Sequence, residues 1–360
     1  MRICIVGYGN EDGTRSWTDV ALIICNELNK KNQKAFYYRW KGKIKHRIIN
    51  KVKFEIGKKF YLACSIRDPG IFRWNASIFK KLLRKENADC YLFMGEHCLY
   101  GQISNKSKTY VYIDSALQPV TRQILSKKAG MNLFFSLYEK NDAKSLNSCN
   151  KIFTQNEWSR QYLIKEYGIS REKIINVGFG INVDYFEGEK NYSNHRMLIV
   201  LRKGLEKIKG LDILIDAFKI AREKISDLEL DVVGTEYVSC EGINYYLNKP
   251  RELTQELFKE DSLYVMPARN ESNGITYLEA LANKMPIVGL NRFAFPEFSG
   301  NGEYGFIVEN ESSQLLAETI IYAFDDLEKL KDMGELGQQF VKSKYNWDFV
   351  VENMVLSMQT

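Results

Sequence analysis

What most constrains this chain is a rhythm. Short runs made almost wholly of apolar residues alternate, end to end, with longer segments whose apolar residues recur at helical spacing. "RICIVGY" precedes "TDVALIICNELNKK", "CYLFMG" and "TYVYID" follow "NASIFKKLLRKENA", and "KIFTQN" precedes "EWSRQYLIKEYG". The rhythm restarts with "HRMLIVLR" before "LDILIDAFKIAREK", continues through "LELDVVG", and ends with "SLYVMP" before a further helical stretch. A strand that is apolar on both faces belongs inside a parallel sheet, and amphipathic helices supply the cover on each side. Two such series predict an α/β chain of two doubly wound, Rossmann-like domains. A length of 360 residues agrees, being more than one core usually supports. The pattern lapses in "GFGINVDYFEGEKNYSNHR" (178–196). This puts the domains at 1–185 and 186–344, and leaves the amphipathic 345–360 free to pack back across the junction onto the first domain.

Composition removes several classes. Apolar residues make up 45% and charged residues 27%, as in soluble globular proteins. No apolar run approaches the ~18 residues that span a bilayer, and "MRICIVGYGN" reads as a buried first strand rather than a signal peptide. The seven cysteines are odd in number, form no C-x-x-C and sit in several strand-like runs, which predicts reduced, packed thiols in a cytoplasmic protein. The three histidines, His46, His97 and His195, lack neighbours at metal-ligand spacing, so a structural or catalytic zinc site is not expected.

The charge is uneven. Between Lys30 and Lys59 the chain carries twelve Lys/Arg against one acid, Glu55. A solvated face explains this as well as an anion-facing one does. The interleaved Phe36, Tyr37, Tyr38 and Trp40 suit a membrane surface, which makes the inner face of the membrane a second expected location.

"ARNESNGITYLEALANKMPIV" (268–288) holds two acids eight positions apart, Glu271 and Glu279. The loop follows a strand end, where open α/β sheets bind ligands. The first N–H groups of the next helix, from Gly274 to Thr276, face outward with the positive end of the helix dipole and form an anion site. Glycine at 274 lets a phosphate approach the backbone. Glu279 sits about 7.5 Å further along at 1.5 Å per residue, roughly the reach from a terminal phosphate back to a ribose. The wheel places Ile275, Leu278, Leu281, Ala282 and Met285 on the buried arc with Glu279 at its edge, where a carboxylate needs hydroxyl or cationic partners. Two acids bracketing a phosphate cradle describe a sugar-nucleotide site; an N-capped helix with incidental acids fits the same stretch.

The E-x7-E pattern after an apolar strand resembles the retaining family-4 glycosyltransferases of the two-domain GT-B fold. "IFTQNEWSRQYLIKEYGISREKIINVGFGINVDYF" (152–186), "LIVLRKGLEKIKGLDILIDAF" (198–218) and "FPEFSGNGEYGFIVEN" (295–310) are similar to further family segments, in order. The resemblance covers the C-terminal half well and the first 150 residues thinly. It implies a nucleotide-diphosphate-sugar donor held by the second domain, across a cleft from the acceptor. Glu271 would hydrogen-bond donor-sugar hydroxyls and Glu279 the ribose, while the N–H groups of Asn273, Gly274 and Ile275 receive the diphosphate. Arg202 and Lys209 would stabilise the departing phosphates, and "NKPREL" with Arg251 would line the base. The resemblance implies that no metal and no cofactor are needed, these cations and the helix dipole serving instead. No nucleophile is assigned, since the family is thought to react on one face, the leaving phosphate taking the acceptor's proton.

Departures from the pattern open alternatives. "RKGLEKIKG" carries about two extra residues, so Lys207 competes with Lys209. Where many members keep a histidine near the donor sugar, this chain has Asp114 and Ser115, with His97 elsewhere as a second candidate; Asp114 is preferred, though a capping Asp reads the same. "GYGNEDG" misses dinucleotide spacing by one residue, which makes a nicotinamide oxidoreductase remote. In the family this loop faces the cleft, making Gly9, Asn10 and Gly13 candidates for the diphosphate or acceptor. The expected function is transfer of a hexose-type sugar to a hydroxyl of a glycan or lipid-linked acceptor. A nucleic-acid acceptor and a non-catalytic sugar-nucleotide-binding subunit are the alternatives.

Overall fold

The computed structural model describes residues 1–8, 16–40, 81, 83–95, 107–114, 140 and 142–359. They divide into two compact units, Met1–Gly178 with Trp347–Thr360, and Phe179–Asn346. The first unit holds β1 (Arg2–Tyr8), α1 (Ser16–Lys30), β2 (Lys34–Trp40), β3 (Cys90–Met94), β4 (Lys108–Ile113), β5 (Lys151–Thr154), α2 (Glu157–Tyr167) and β6 (Ile174–Asn176). The second holds β7 (Arg196–Val200), α3 (Glu206–Lys209), α4 (Leu211–Arg222), β8 (Glu229–Val233), β9 (Ile243–Tyr246), α5 (Arg251–Glu260), β10 (Leu263–Val265) and α6 (Ile275–Ala282), then β11 (Ile287–Leu290), α7 (Phe295–Phe298), β12 (Gly305–Val308), α8 (Ser313–Asp325) and α9 (Leu327–Lys344). The last helix, α10 (Trp347–Gln359), returns to the first unit.

Each unit is built on a six-stranded sheet, ordered β2-β1-β3-β4-β5-β6 and β12-β11-β10-β7-β8-β9. Every pairing is parallel. The all-apolar runs take the central positions that their composition demands: all five residues of β3 are buried, as are Ile3–Val6 of β1 and Met197–Ile199 of β7. The amphipathic segments cover them, with α4 burying Leu211, Leu214, Ala217, Phe218 and Ala221 along its inner face. The architecture is two Rossmann-like domains.

Two strands fall where the sequence shows no apolar run. β2 lies within the basic stretch and forms the sheet edge beside β1. Phe36 and Tyr38 pack against the first core, and the Arg2 guanidinium sits 5.0 Å over the Phe36 ring. The aromatic interleaving of this stretch is therefore, in part, the packing of an edge strand; residues 41–59 lie outside the described ones. β9 is the opposite kind of case, an edge strand of the second sheet with three of its four residues only half-buried.

The compact division falls at Gly178/Phe179, ahead of 185/186, because the connecting segment packs on the second unit. Phe179 meets the Tyr345 ring edge-on at 5.6 Å, the Ile181 N–H donates to the Tyr345 carbonyl at 3.0 Å, and Gln338 Nε2 donates to the Phe186 carbonyl at 2.7 Å. On the first unit, α10 receives Lys151 Nζ at the Ser357 carbonyl (2.8 Å) and the Tyr110 hydroxyl at the Met358 carbonyl (3.2 Å). Cys4, Cys25 and Cys90 are free and buried, Cys149 is buried, and burial pushes the Cys90 thiol up to about 12. Among the described residues no helix is long and apolar enough to cross a membrane, and no cluster of three or more metal-ligating side chains occurs.

Candidate functional site

In the second sheet the chain runs from β7 to β8 and β9 on one side, and from β10 to β11 and β12 on the other. β7 and β10 are neighbours, so the order reverses between them. A crevice at such a switch point, beyond the carboxyl ends of the strands, is where open α/β sheets take ligands. The two loops singled out from the sequence, 202–210 and 268–274, leave from this point.

The loops are pressed together by glycine. Gly210 has a left-handed φ of 74°, and a β-carbon there would lie 2.1 Å from the Pro267 carbonyl oxygen. Only glycine satisfies both demands. Between Arg202 and Gly210 the extra residues form the single turn α3. Glu206 anchors it by accepting from the Gly204 N–H at 2.8 Å and the Thr235 hydroxyl at 2.6 Å. This turn points Lys209 at the β10 loop, where its ammonium pairs with Glu271 Oε2. The two side chains are 16% and 19% exposed, so the pair is largely removed from water. Lys207 is exposed and turns its carbonyl, not its ammonium, inward. Of the two competing lysines, Lys209 is the one brought to Glu271. Arg202 is exposed, and its guanidinium has no partner among the described residues.

Glu271 Oε1 accepts from the N–H groups of Asn273 at 3.1 Å and Gly274 at 3.0 Å, two of the three donors expected to face a diphosphate. The N–H groups of Ile275 and Thr276 open α6 and make no hydrogen bond within the described residues, as first-turn donors do not unless capped. Gly274 caps the helix at φ 53°, and a β-carbon would come within 2.5 Å of the Phe298 ring. The Oδ1 atoms of Asn270 and Asn273 are also buried without a hydrogen-bond partner among the described residues. One expectation is corrected here. Ile275 is 40% exposed and lies outside the buried arc, because it is the first residue of the helix and projects beyond the strands that cover its successors. Tyr277 joins the arc instead, its ring 4.9 Å from Phe295 and its hydroxyl bonded to the Met266 carbonyl.

Glu279 lies one turn further along α6 with its side chain 17% exposed. Its cationic neighbour, Arg251 at the start of α5, stands 4.0 Å away and is itself mostly in solvent, donating to the Asn182 carbonyl at 3.0 Å. Burial pushes the Glu279 carboxyl up to about 7, with the Arg251 charge working against the rise. A carboxyl held this way is short of donors.

The remaining candidates are elsewhere. Asp114 belongs to the first unit, at the carboxyl end of β4, and its carbonyl accepts from Ser159 Oγ at 2.7 Å. Gly9, Asn10, Gly13, His97 and Ser115 lie outside the described residues. One residue central to the loops escapes sequence reading. Arg269 looks like any surface arginine in "ARNES", and the only hint is its place just past a strand end; its contacts are described below.

The described residues thus form two α/β units, with Lys209, Glu271 and the start of α6 gathered at the strand ends of the second. Comparison with known proteins sharpens this. Residues 185–340 match the family described as Glycosyl transferases group 1, within the second unit. The chain is 22% identical over 244 residues to spore coat protein SA of Bacillus subtilis, covering 58% of this chain and 65% of that one. It is 26% identical over 228 residues to the capsular polysaccharide biosynthesis glycosyltransferase CapM of Staphylococcus aureus, covering 57% of each. The chain thus spans little more than half to two thirds of these relatives' length. In structure it is similar to a glycosyltransferase from Rickettsia africae at a TM-score of 0.70, with 17% identity and 99% and 98% of the two chains covered. It is also similar to Anabaena Alr3699/HepE, solved in complex with UDP, at a TM-score of 0.68, with 14% identity and the whole of each chain covered. The family match lies within the second unit, and the likeness to these solved structures is one of fold.

Proposed function

We propose that this protein transfers a hexose-type sugar, with retention of anomeric configuration and without a metal, from a nucleotide-diphosphate-sugar to a hydroxyl of a glycan or lipid-linked acceptor. The observation that carries the reading is the convergence at the β7/β10 switch point. Lys209 and Glu271 meet there beside the unbonded N–H groups of Ile275 and Thr276, and the donor-poor Glu279 follows one turn later on the same helix. The spacing suits a diphosphate on the helix N-terminus with its ribose diol on Glu279, which would supply the two donors that Arg251 does not.

In this reading the diphosphate takes the N–H groups of Asn273 and Gly274, and Glu271 turns its carboxylate to the sugar hydroxyls. Lys209 and Arg202 then face the leaving phosphate and stabilise the charge that develops as the sugar departs. Glu271 positions the sugar rather than attacking it. CapM, named for capsular polysaccharide biosynthesis, favours a glycan acceptor, and the UDP complex of the Anabaena protein favours a uridine nucleotide. Contact with an anionic membrane through residues 30–59 belongs to the same proposal. Co-sedimentation with phosphatidylglycerol vesicles that weakens with salt would support that contact, and no co-sedimentation at low salt would remove it.

The test is turnover in the presence of EDTA with UDP-, GDP-, ADP- and dTDP-hexoses, following nucleotide release and the anomeric proton of the product by NMR. Release that survives EDTA, with an α-linked product from an α-linked donor, is expected. An inverted product or strict metal dependence would overturn the mechanism. Tight donor binding with no turnover on any acceptor would point instead to a sugar-nucleotide-binding subunit.

A further inference from the structure

Arg269 ties together the loops that carry the proposed donor site. Its Nη1 and Nη2 meet the Asp212 carboxylate at 2.7 and 3.0 Å, a two-pronged pairing at the start of α4. Its Nε donates to Glu311 Oε2 at 2.9 Å, in the loop after β12, and Nη1 also donates to the Lys207 carbonyl. The second Glu311 oxygen holds Arg292 from the loop after β11. The Arg269 backbone N–H completes the set by donating to the Ile208 carbonyl at 2.9 Å. Loops from β7, β10 and β12 are thereby joined at one guanidinium, and Glu311 links the β11 loop to them.

The partners respond as a committed pairing requires. Burial acts to raise the Asp212 carboxyl, but the hydrogen bonds and charge of Arg269 outweigh it and hold the group below its ordinary value. Burial likewise acts to raise Glu311, and Arg269 with Arg292 holds it below. With its side chain 28% exposed and its N–H groups so engaged, Arg269 is poorly placed to serve a ligand. Its position explains what it does instead. Arg269 lies two positions before Glu271, with Asn270 between them, and its carbonyl partner Lys207 lies two positions before Lys209, with Ile208 between them. It therefore clamps the two strands of loop whose tips form the Lys209–Glu271 pair.

We propose that Arg269 is a positioning residue for the donor site: the clamp it forms with Asp212, Glu311 and the Lys207 carbonyl sets the separation of Lys209 and Glu271, and donor affinity depends on it. This rests on the donor-site reading given above. A lysine keeps the charge but cannot make the fork, so Arg269→Lys separates geometry from electrostatics.

The experiment measures donor dissociation constants by calorimetry, and KM for donor and acceptor separately, for wild type, Arg269→Lys, Arg269→Gln, Asp212→Asn and the double variant Arg269→Gln with Asp212→Asn. Melting temperatures confirm that each variant is folded at the assay temperature. A displacement of about 1 Å is enough for a hundredfold effect, so losses of about tenfold in donor affinity for Arg269→Lys and about a hundredfold for Arg269→Gln are expected. The acceptor KM should stay unchanged, and Asp212→Asn should add little on top of Arg269→Gln because both remove one clamp. If Arg269→Gln does not fold, Arg269→Lys and Asp212→Asn carry the test. Wild-type donor affinity in folded variants that melt earlier would overturn the proposal and leave Arg269 a loop staple. Absence of donor binding by wild type would overturn the donor-site reading itself, and this inference with it.

Discussion

Glu279 is a carboxyl group that folding places at a disadvantage. Its folded-state value lies at about 7, raised by burial from an ordinary 4.5, with Arg251 only partly offsetting. Between those values the folded chain keeps a proton that the unfolded chain has released. Stability therefore falls as pH rises through that window, and the full cost is present above about pH 7. At 1.36 kcal/mol per unit the cost is about 3 kcal/mol. Glu279→Gln should then stabilise the protein by up to about 3 kcal/mol at pH 8 and by little at pH 4.5, as read from urea unfolding at the two values. The same carboxyl predicts the ligand's pH dependence. Ribose hydroxyls donate best to the ionised form, so donor affinity in wild type should rise as pH passes upward through 7, and calorimetry at pH 6 and 8 would show it. The sequence already placed Glu279 at the edge of a buried helix face. Exposure of Ile275 and the partners of Arg269 were not legible, because each depends on what other loops cover, and a helical wheel carries no neighbours.

Among the elements, α3 and α6 are held by glycines whose positions cannot be filled. Gly210 combines a positive φ with a place where any β-carbon would lie 2.1 Å from the Pro267 carbonyl oxygen. Gly210→Ala should lower stability by roughly 2 kcal/mol and weaken donor binding in the protein that still folds, because it pushes the β7 loop off the β10 loop. The C-terminal helix α10 gives a second element-level prediction. It satisfies Tyr110, Lys108 and Lys151 through the carbonyls of Met358 and Ser357, and it buries Val350, Val351, Met354 and Met358. Removing residues 347–360 should expose that face and give an aggregating protein with a lowered melting point, which size-exclusion chromatography and thermal melting would check. The strands with all-apolar runs were legible from their composition. β2 and β9 were not, because an edge strand pairs on one side only and can carry lysines and tyrosines without an apolar run.

On the scale of the whole molecule, the parallel sheets follow from alternation, their strand orders do not, and the resemblance of 152–310 to a known pattern is what points the proposed donor site to the second unit. The acceptor is another matter. Under the proposed function its contacts are expected in loops of the first unit, the kind of segment that varies most in length and sequence. The candidate loops there, from Gly9 to Gly13 and around His97 and Ser115, fall outside the described residues. Sequence likeness is also thinnest over that unit, and the comparisons reach it mainly through shared fold. The donor chemistry can therefore be argued from residues, while the acceptor is argued from kinship of fold and name.

The most direct measurement is donor binding by wild type and Glu279→Ala, without added metal, across UDP-, GDP-, ADP- and dTDP-sugars. A donor present at a hundredfold excess over its dissociation constant stabilises the folded chain by about 2.7 kcal/mol, which a thermal shift resolves. The account predicts that one nucleotide class shifts the melting point of wild type and that the shift disappears in Glu279→Ala. An equal shift in the variant, or none in wild type, would contradict the assignment of the β7/β10 switch point as a sugar-nucleotide site.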